Sequence, residues 1–266
     1  MAKVQEKSKE EKSKAAAESE DEPKKPEETP IEFMASLASV LVTGLFIITF
    51  VMQSFVIPSS SMEDTLLIGD HVFVNRVQFA PPSTWLGKLL PYRNPKHDDI
   101  VVFVSPVQPG LFVVKRIIGV PGDHLHLRDQ VVYRNGERLD QPFVMHKHPE
   151  QTSAYGNEFP SVPPSEGYGV DPGWAIAQSQ FIQGQDLVVP PGHYFGMGDN
   201  RDVSLDSRFW GFIPQENLIG RPMLIYWSFD GDYLQTEIGD RLKSFFTTAI
   251  HIFDKTRWGR TFRVVR

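Results

Sequence analysis

The sequence predicts a mostly β protein: an antiparallel β domain with a β insertion, behind one N-terminal transmembrane helix. Three observations carry this. Short β-branched and aromatic runs recur from His71 to Phe229, each bounded by Gly or Pro. Long amphipathic helical patterns are absent from that stretch. Ahead of it, Phe33 to Val56 contains no Asp, Glu, Lys or Arg, and is long enough to cross a hydrocarbon core of roughly 30 Å as a helix.

Residues 1–30 are rich in Lys, Glu, Ser and Ala. They carry too little apolar surface to fold alone, so a disordered cytoplasmic tail is expected. Residues 31–56 form the expected anchor. A cleaved secretory signal has a shorter apolar core of about 7–15 residues behind a short basic start, so a retained anchor is favoured. Lys14, Lys24 and Lys25 precede the run and only Arg76 follows it closely, a bias towards a cytoplasmic N-terminus.

The β domain is expected over 57–230. Its strand-like runs are His71–Asn75, Asp99–Val104, Leu111–Ile118, Gln130–Tyr133, Asp186–Val189, His193–Met197 and Met223–Phe229. Asn135-Gly136 is a strong hairpin signal. An insertion is expected at about 124–190, where 141–185 turns polar and rich in Pro and Gly. Residues 80–96 mix Trp85, Leu89, Leu90 and Tyr92 with Lys88, Arg93 and Lys96. That composition suits either a membrane interface or a loop packed on its own core. Residues 231–266 form a basic segment with interleaved aromatics, suited to anionic lipid or to docking on the β domain with its cations in solvent.

A net charge of −6 over 266 residues gives no general affinity for polyanions, so nucleic acid is not an expected partner. There is no cysteine, which excludes disulfides, a Cys nucleophile and Cys-ligated zinc.

Ser61 stands in Pro58-Ser59-Ser60-Ser61-Met62, five residues past Val56. An extended link of that length reaches at most ~18 Å, so the hydroxyl is tethered near the bilayer surface. A serine needs a base to become a nucleophile. G-x-S-x-G and H-E-x-x-H are both missing, and the His124/His126 and His146/His148 pairs read as polar strand faces. Lys115 lies inside the apolar run Leu111–Ile118, where burial favours the neutral amine, and the adjacent cation Arg116 would push the same way. At an ordinary pKa near 10.4 only roughly one lysine in 2500 is neutral at pH 7. From spacing alone, the ordinary reading of Lys115 is a snorkelling or salt-bridged strand lysine. Gly198 to Gly211 is the densest polar segment. Ser204, Asp206 and Arg208 alternate and in extended conformation share a side; the ordinary reading here is a surface loop of Asx turns.

Taken in order, Pro58–Leu66, Gly69-Asp70 with Val74–Arg76, Asp99–Phe103 with Lys115–Asp123, and Gly198–Gly211 resemble the sequence boxes of bacterial type I signal peptidases, membrane-anchored Ser/Lys endopeptidases. The resemblance implies Ser61 as nucleophile and Lys115 as general base. It implies an oxyanion hole from the Ser61 N–H and the Ser59 hydroxyl, Ser204 orienting the lysine amine, and Asp206 with Arg208 in support. It places Phe55, Ile57, Pro58, Met62, Leu66, Val113 and Val114 along the substrate pockets, which admit small side chains one and three residues before the cut. It implies no metal and no cofactor, exported preproteins with signal peptides and membrane lipid as partners, and a single-pass protein of the plasma (inner) membrane with its catalytic domain on the extracytoplasmic face. Asp64 stands where a Pro is common and Val113 where an aromatic can occur, which leaves the rigidity of the turn and the depth of the pocket open. The rival readings are a non-catalytic anchored β domain that binds exported chains, and a specialised Ser/Lys maturation peptidase.

Overall fold

The computed structural model describes residues 29–79, 92–231 and 248–266. The expected tail up to residue 28, the loop 80–91 and residues 232–247 lie outside the described residues. The chain divides at Phe46/Ile47 into two compact units.

In the first unit, helix α1 (Pro30–Phe46) opens on a capping box. The Glu32 N–H donates to Thr29 Oγ1, the Thr29 N–H donates back to Glu32 Oε2, and Pro30 fills the first helical position. None of its side chains is buried. The helical run continues in sequence as a π-turn over Ile47–Val51, giving 22 residues that include an 18-residue window of mean hydropathy 2.3, long enough to cross a bilayer.

The anchor was expected to run to Val56, and here the structure differs. Met52–Val56 is strand β1, paired antiparallel with β2 (Asp70–Asn75) from Met52↔Asn75 to Val56↔His71. An apolar run serves a helix or a strand equally well; cross-strand pairing with β2 decides it. The second unit therefore begins ahead of the expected boundary at residue 57.

That unit holds two antiparallel sheets. The larger is built from β1, β2, β3 (Ile100–Val104), β4 (Phe112–Gly119), β10 (His193–Met197), β11 (Ile213–Pro214), β12 (Leu218–Ser228) and β13 (Arg263–Val264). Its order is β1-β2-β12-β3-β4-β10-β11, with β13 beside β12. Strand β12 pairs β3 through Leu218 and Gly220, then β2 from Arg221 onward. At the changeover a side chain on Gly220 would meet the Asn75 carbonyl oxygen at 2.1 Å, so only glycine lets the backbones approach. The sheet curls far enough for Phe55 of β1 to touch Phe112 of β4, ring centroids 5.1 Å apart. The smaller sheet holds β5 (His124–Arg128), β6 (Val131–Arg134), β7 (Glu137–Arg138), β8 (Ile182–Gln183) and β9 (Asp186–Val188), in the order β7-β6-β5-β9-β8. It occupies the expected insertion. Asn135 and Gly136 take φ of 54° and 82°, the left-handed pair of a type I′ hairpin. The polar stretch after β7 buries Tyr155, Phe159 and Trp174 against Leu125, Leu187 and Phe195, so it carries a core of its own.

The described residues 248–266 of the C-terminal segment dock on the β domain. Arg257 and Arg260 turn inward, while Lys255, Arg263 and Arg266 stay exposed. Arg260 Nη2 donates to Oδ2 of the fully buried Asp70 at 2.6 Å, and Ser228 Oγ donates to the other oxygen at 2.6 Å. Arg257 donates to the Ile68 carbonyl and to Asp230. Val265 enters the core formed by Ile57, Met62, Leu66 and Ile225.

Candidate active site

Ser61 lies in a single 3₁₀ turn, Ser60–Met62, entered from extended Ser59. Lys115 projects from β4. The two meet in the interior: Lys115 Nζ is 2.7 Å from Ser61 Oγ, and the residues are 3% and 8% exposed. Burial drives the Lys115 amine down to about 8. Asp206 and Asp199 pull it back up, and Arg208 adds to the depression. Arg116, expected to supply that push, does not. Strand alternation sends it to the other face of β4, where Nε and Nη2 grip Asp199 at 2.8 and 2.7 Å and Nη1 reaches the Asp98 carbonyl.

The segment after β10 joins the two halves of the site. Asp199 binds Arg116 on β4 and accepts a 2.6 Å hydrogen bond from Thr65 Oγ1, just past the Ser61 turn. The Asn200 N–H donates to the Ser61 carbonyl at 3.1 Å, and its amide group reaches Ser60 O and Glu63. Sequence reasoning did not single out Thr65, Asp199 or Asn200. Their partners lie up to 140 residues away, and no local spacing encodes such a pairing.

Ser204, Asp206 and Arg208 converge, though not as an extended row. Asp206 caps the short helix Ser207–Trp210, and Arg208 folds back to it, Nε on Oδ1 and Nη2 on Oδ2, both at 2.9 Å. Arg208 also holds the Gly156 and Arg201 carbonyls. The Ser204 hydroxyl is buried and makes no hydrogen bond, so the expected bond to the Lys115 amine is not formed. It packs on Gly198, where an added Cβ would lie 2.3 Å from Ser204 Oγ and 2.5 Å from the Ser61 carbonyl oxygen. Ser59 Oγ is 3.4 Å from Ser61 Oγ.

A cleft of about 230 Å³ opens beside Ser61 and Lys115. Phe55, Ile57, Pro58, Met62, Val113 and Val114 line it, joined by Val102, Leu111 and Phe112. Leu66 does not: it is fully buried in the core with Ile57 and Met62. Asp64 takes φ 69°, which proline's ring forbids. The turn after Ser61 therefore has a form unlike one built on Pro, and Lys147 bridges its Glu63 and Asp64 carboxylates.

Two strand edges face this cleft. β1 pairs only with β2 among the described residues. On β4, residues 112–115 pair with β3 on one side, while β10 takes up the other side only from Arg116 onward. A buried hydroxyl–amine pair between open edges can attack the backbone of an extended chain laid along them.

The comparisons agree with that class of protein. The family model for signal peptidase, peptidase S26, matches residues 30–227. The chain is 31% identical over 251 residues to signal peptidase I of Buchnera aphidicola, covering 79% of this chain and 80% of that protein. It is 30% identical over 217 residues to signal peptidase I of Pseudomonas aeruginosa, covering 74% and 72%. A crystal structure of a signal peptidase I from Enterococcus faecalis aligns at 31% identity and TM-score 0.35, over 48% of this chain and 97% of that one. The chain belongs to the signal peptidase, peptidase S26, family. It is a serine endopeptidase, and its apolar helix Pro30–Val51 is in keeping with a membrane anchor.

Proposed function

We propose that this enzyme removes N-terminal signal peptides from exported preproteins at the extracytoplasmic face of the plasma membrane, cutting after small residues through a Ser61/Lys115 dyad. The observation that carries the reading is the 2.7 Å approach of a buried amine to a serine hydroxyl in a cleft flanked by open strand edges. With the amine near 8, about one molecule in ten is neutral at pH 7. Lys115 Nζ takes the Ser61 proton as Oγ bonds the scissile carbonyl carbon. The Ser61 N–H and Ser59 hydroxyl receive the oxyanion. The C–N bond breaks, the leaving amine takes the proton from Lys115, and the mature protein departs. Lys115 then deprotonates a water that releases the signal peptide from Ser61. Ser204 and the Asp206–Arg208 pair hold the lysine's surroundings.

The preprotein lies as an added strand between β1 and β4, its small side chains entering the cleft over Ile57, Met62, Val102 and Val114. The anchor brings the cleft to the bilayer that holds the signal peptide. Phe253, Trp258 and Phe262, exposed on the docked C-terminal segment, are further apolar surface for lipid.

Incubating a preprotein with purified full-length enzyme and with Ser61→Ala tests the reading. The wild type is expected to release the mature chain and the variant is not; near-wild-type cleavage by Ser61→Ala ends the proposal. Gly198→Ala checks the neighbouring contact. A methyl there must displace Ser204 or the Ser61 carbonyl, and misplacement on the order of 1 Å lowers rates by about 100-fold. Turnover of the same preprotein should fall by that order while the circular dichroism spectrum stays unchanged.

A further inference from the structure

In the polar stretch after β7, residues 145–148 lie against the segment that carries Asp199 and Asn200. The Met145 N–H donates to the Asp199 carbonyl at 2.9 Å, and the Arg201 N–H donates to the Met145 carbonyl at 3.1 Å. The buried Asp202 accepts from the His148 N–H at 2.8 Å and stands 2.9 Å from His146 Nδ1. The backbone on both sides of Lys147 is therefore fixed. Its side chain reaches the Ser61 turn instead, where Nζ donates to Glu63 Oε1 at 3.1 Å and to Asp64 Oδ1 at 2.9 Å.

The chain that this ammonium holds is under two loads. Glu63 and Asp64 set two carboxylates side by side just after Met62, and like charges repel. Asp64 also takes φ 69°, a left-handed conformation that side chains disfavour. A cation between the carboxylates relieves the first load and holds the turn against the second. The turn is tied to Ser61 through Asn200. The Asn200 N–H donates to the Ser61 carbonyl at 3.1 Å, and Nδ2 donates to Glu63 Oε2 at 3.2 Å and to the Ser60 carbonyl at 3.4 Å. Asn200 Oδ1 has no partner among the described residues, so those two acceptors alone orient the amide. Glu63 thus spans from Lys147 on one oxygen to Asn200 on the other, and Asn200 holds the residue that carries the hydroxyl.

We propose that Lys147 is a positioning residue for Ser61: one ammonium neutralises two adjacent carboxylates and keeps the turn in the shape that aims the hydroxyl at Lys115. The inference rests on the reading of Ser61 as nucleophile given above, and adds to it a residue outside the lining of the cleft. An isolated surface ion pair contributes little, because two long side chains must be ordered for one weak contact. Here three charges form a network and the lysine stands on a pinned backbone, so less freedom is lost in forming it. The side chains of Lys147 and Asp64 are 35% and 59% exposed, which leaves the clamp open to screening by dissolved salt.

The test follows preprotein cleavage by full-length wild type, Lys147→Met and Lys147→Arg at about 0.1 M and about 1 M NaCl, between which the screening length falls from about 10 Å to about 3 Å. At the lower salt Lys147→Met should lose about fivefold in kcat, with KM unchanged, as expected for a group that acts on the reacting geometry rather than on binding. Lys147→Arg should recover most of the loss, since a guanidinium also reaches two carboxylates. At the higher salt the ratio of wild-type to Lys147→Met kcat should shrink by about twofold or more; effects of salt on the preprotein are common to both enzymes and cancel in that ratio. Equal kcat in wild type and Lys147→Met, a loss that Lys147→Arg does not recover, or a ratio unmoved by salt overturns the clamp and leaves the dyad reading standing. Should Lys147→Met fail to fold, Asp64→Asn decides. Asparagine also accepts positive φ but carries no charge, so a loss of about twofold in kcat that fades at high salt is expected, and its absence overturns the clamp. Cleavage by Ser61→Ala removes the reading itself and the clamp with it.

Discussion

Lys115→Met is expected to abolish preprotein cleavage and to make the protein more stable. Removing the base of a nucleophile–base pair costs at least ~10⁴-fold in rate. The stability gain follows from the burial that depresses the amine. Its pKa falls from 10.5 unfolded to about 8 folded, and at about 1.4 kcal/mol per pH unit the fold spends about 3 kcal/mol holding the protonated lysine at neutral pH. Methionine fills a similar volume without a charge, so chemical denaturation at pH 7 should show a gain of about 2 kcal/mol. The pH dependence separates this from ordinary repacking. Below 8 both folded and unfolded lysine are protonated, and the cost is fully present. Between 8 and 10.5 the unfolded state binds the extra proton, so wild-type stability rises with pH and the gap to the variant closes. Activity follows the same group: kcat/KM should climb about tenfold per pH unit up to about 8 and then level. A flat profile across that range, or a variant less stable than wild type, contradicts a dry, depressed lysine.

From spacing alone Lys115 reads as an ordinary strand lysine; the resemblance of four boxes in order is what pairs it with Ser61, and the two side chains lie 2.7 Å apart. Legibility failed where a partner is distant. Arg116 reads as a cation beside Lys115, but Asp199, 83 residues on, claims it. Arg260 reads as a cation for lipid or for solvent, but Asp70, 190 residues back, takes it into the protein. It failed again where one composition serves two structures. Met52–Val56 is apolar enough to finish a membrane helix, and only β2 makes it a strand. Leu66 shows a third limit. An apolar residue near a nucleophile can line the pocket or support its wall from within, and volume at the site, not sequence, chooses.

Asp206→Asn should give the largest loss of stability among the site residues. The carboxylate is fully buried, as is Arg208, and each of its oxygens accepts from the guanidinium. The amide keeps the shape but leaves the arginine charge without a counterion, which costs about 3–5 kcal/mol. At roughly 2–4 °C per kcal/mol for a domain of this size, Tm should drop by roughly 10 °C. Burial by itself raises the Asp206 pKa; the charge and hydrogen bonds of Arg208 reverse this and leave it below the ordinary carboxylate value of 3.8. The stabilisation is therefore complete above about pH 4 and is lost only as pH falls through the lowered folded value, so the deficit of the variant should persist across the neutral range. The second readout is electrostatic. Asp206 raises the Lys115 amine, so without it the rise of kcat/KM should move below pH 8. A variant damaged only in packing would lose rate at every pH and leave the midpoint where it was. A midpoint that stays put, or moves upward, would mean that Asp206 does not act on the lysine's charge.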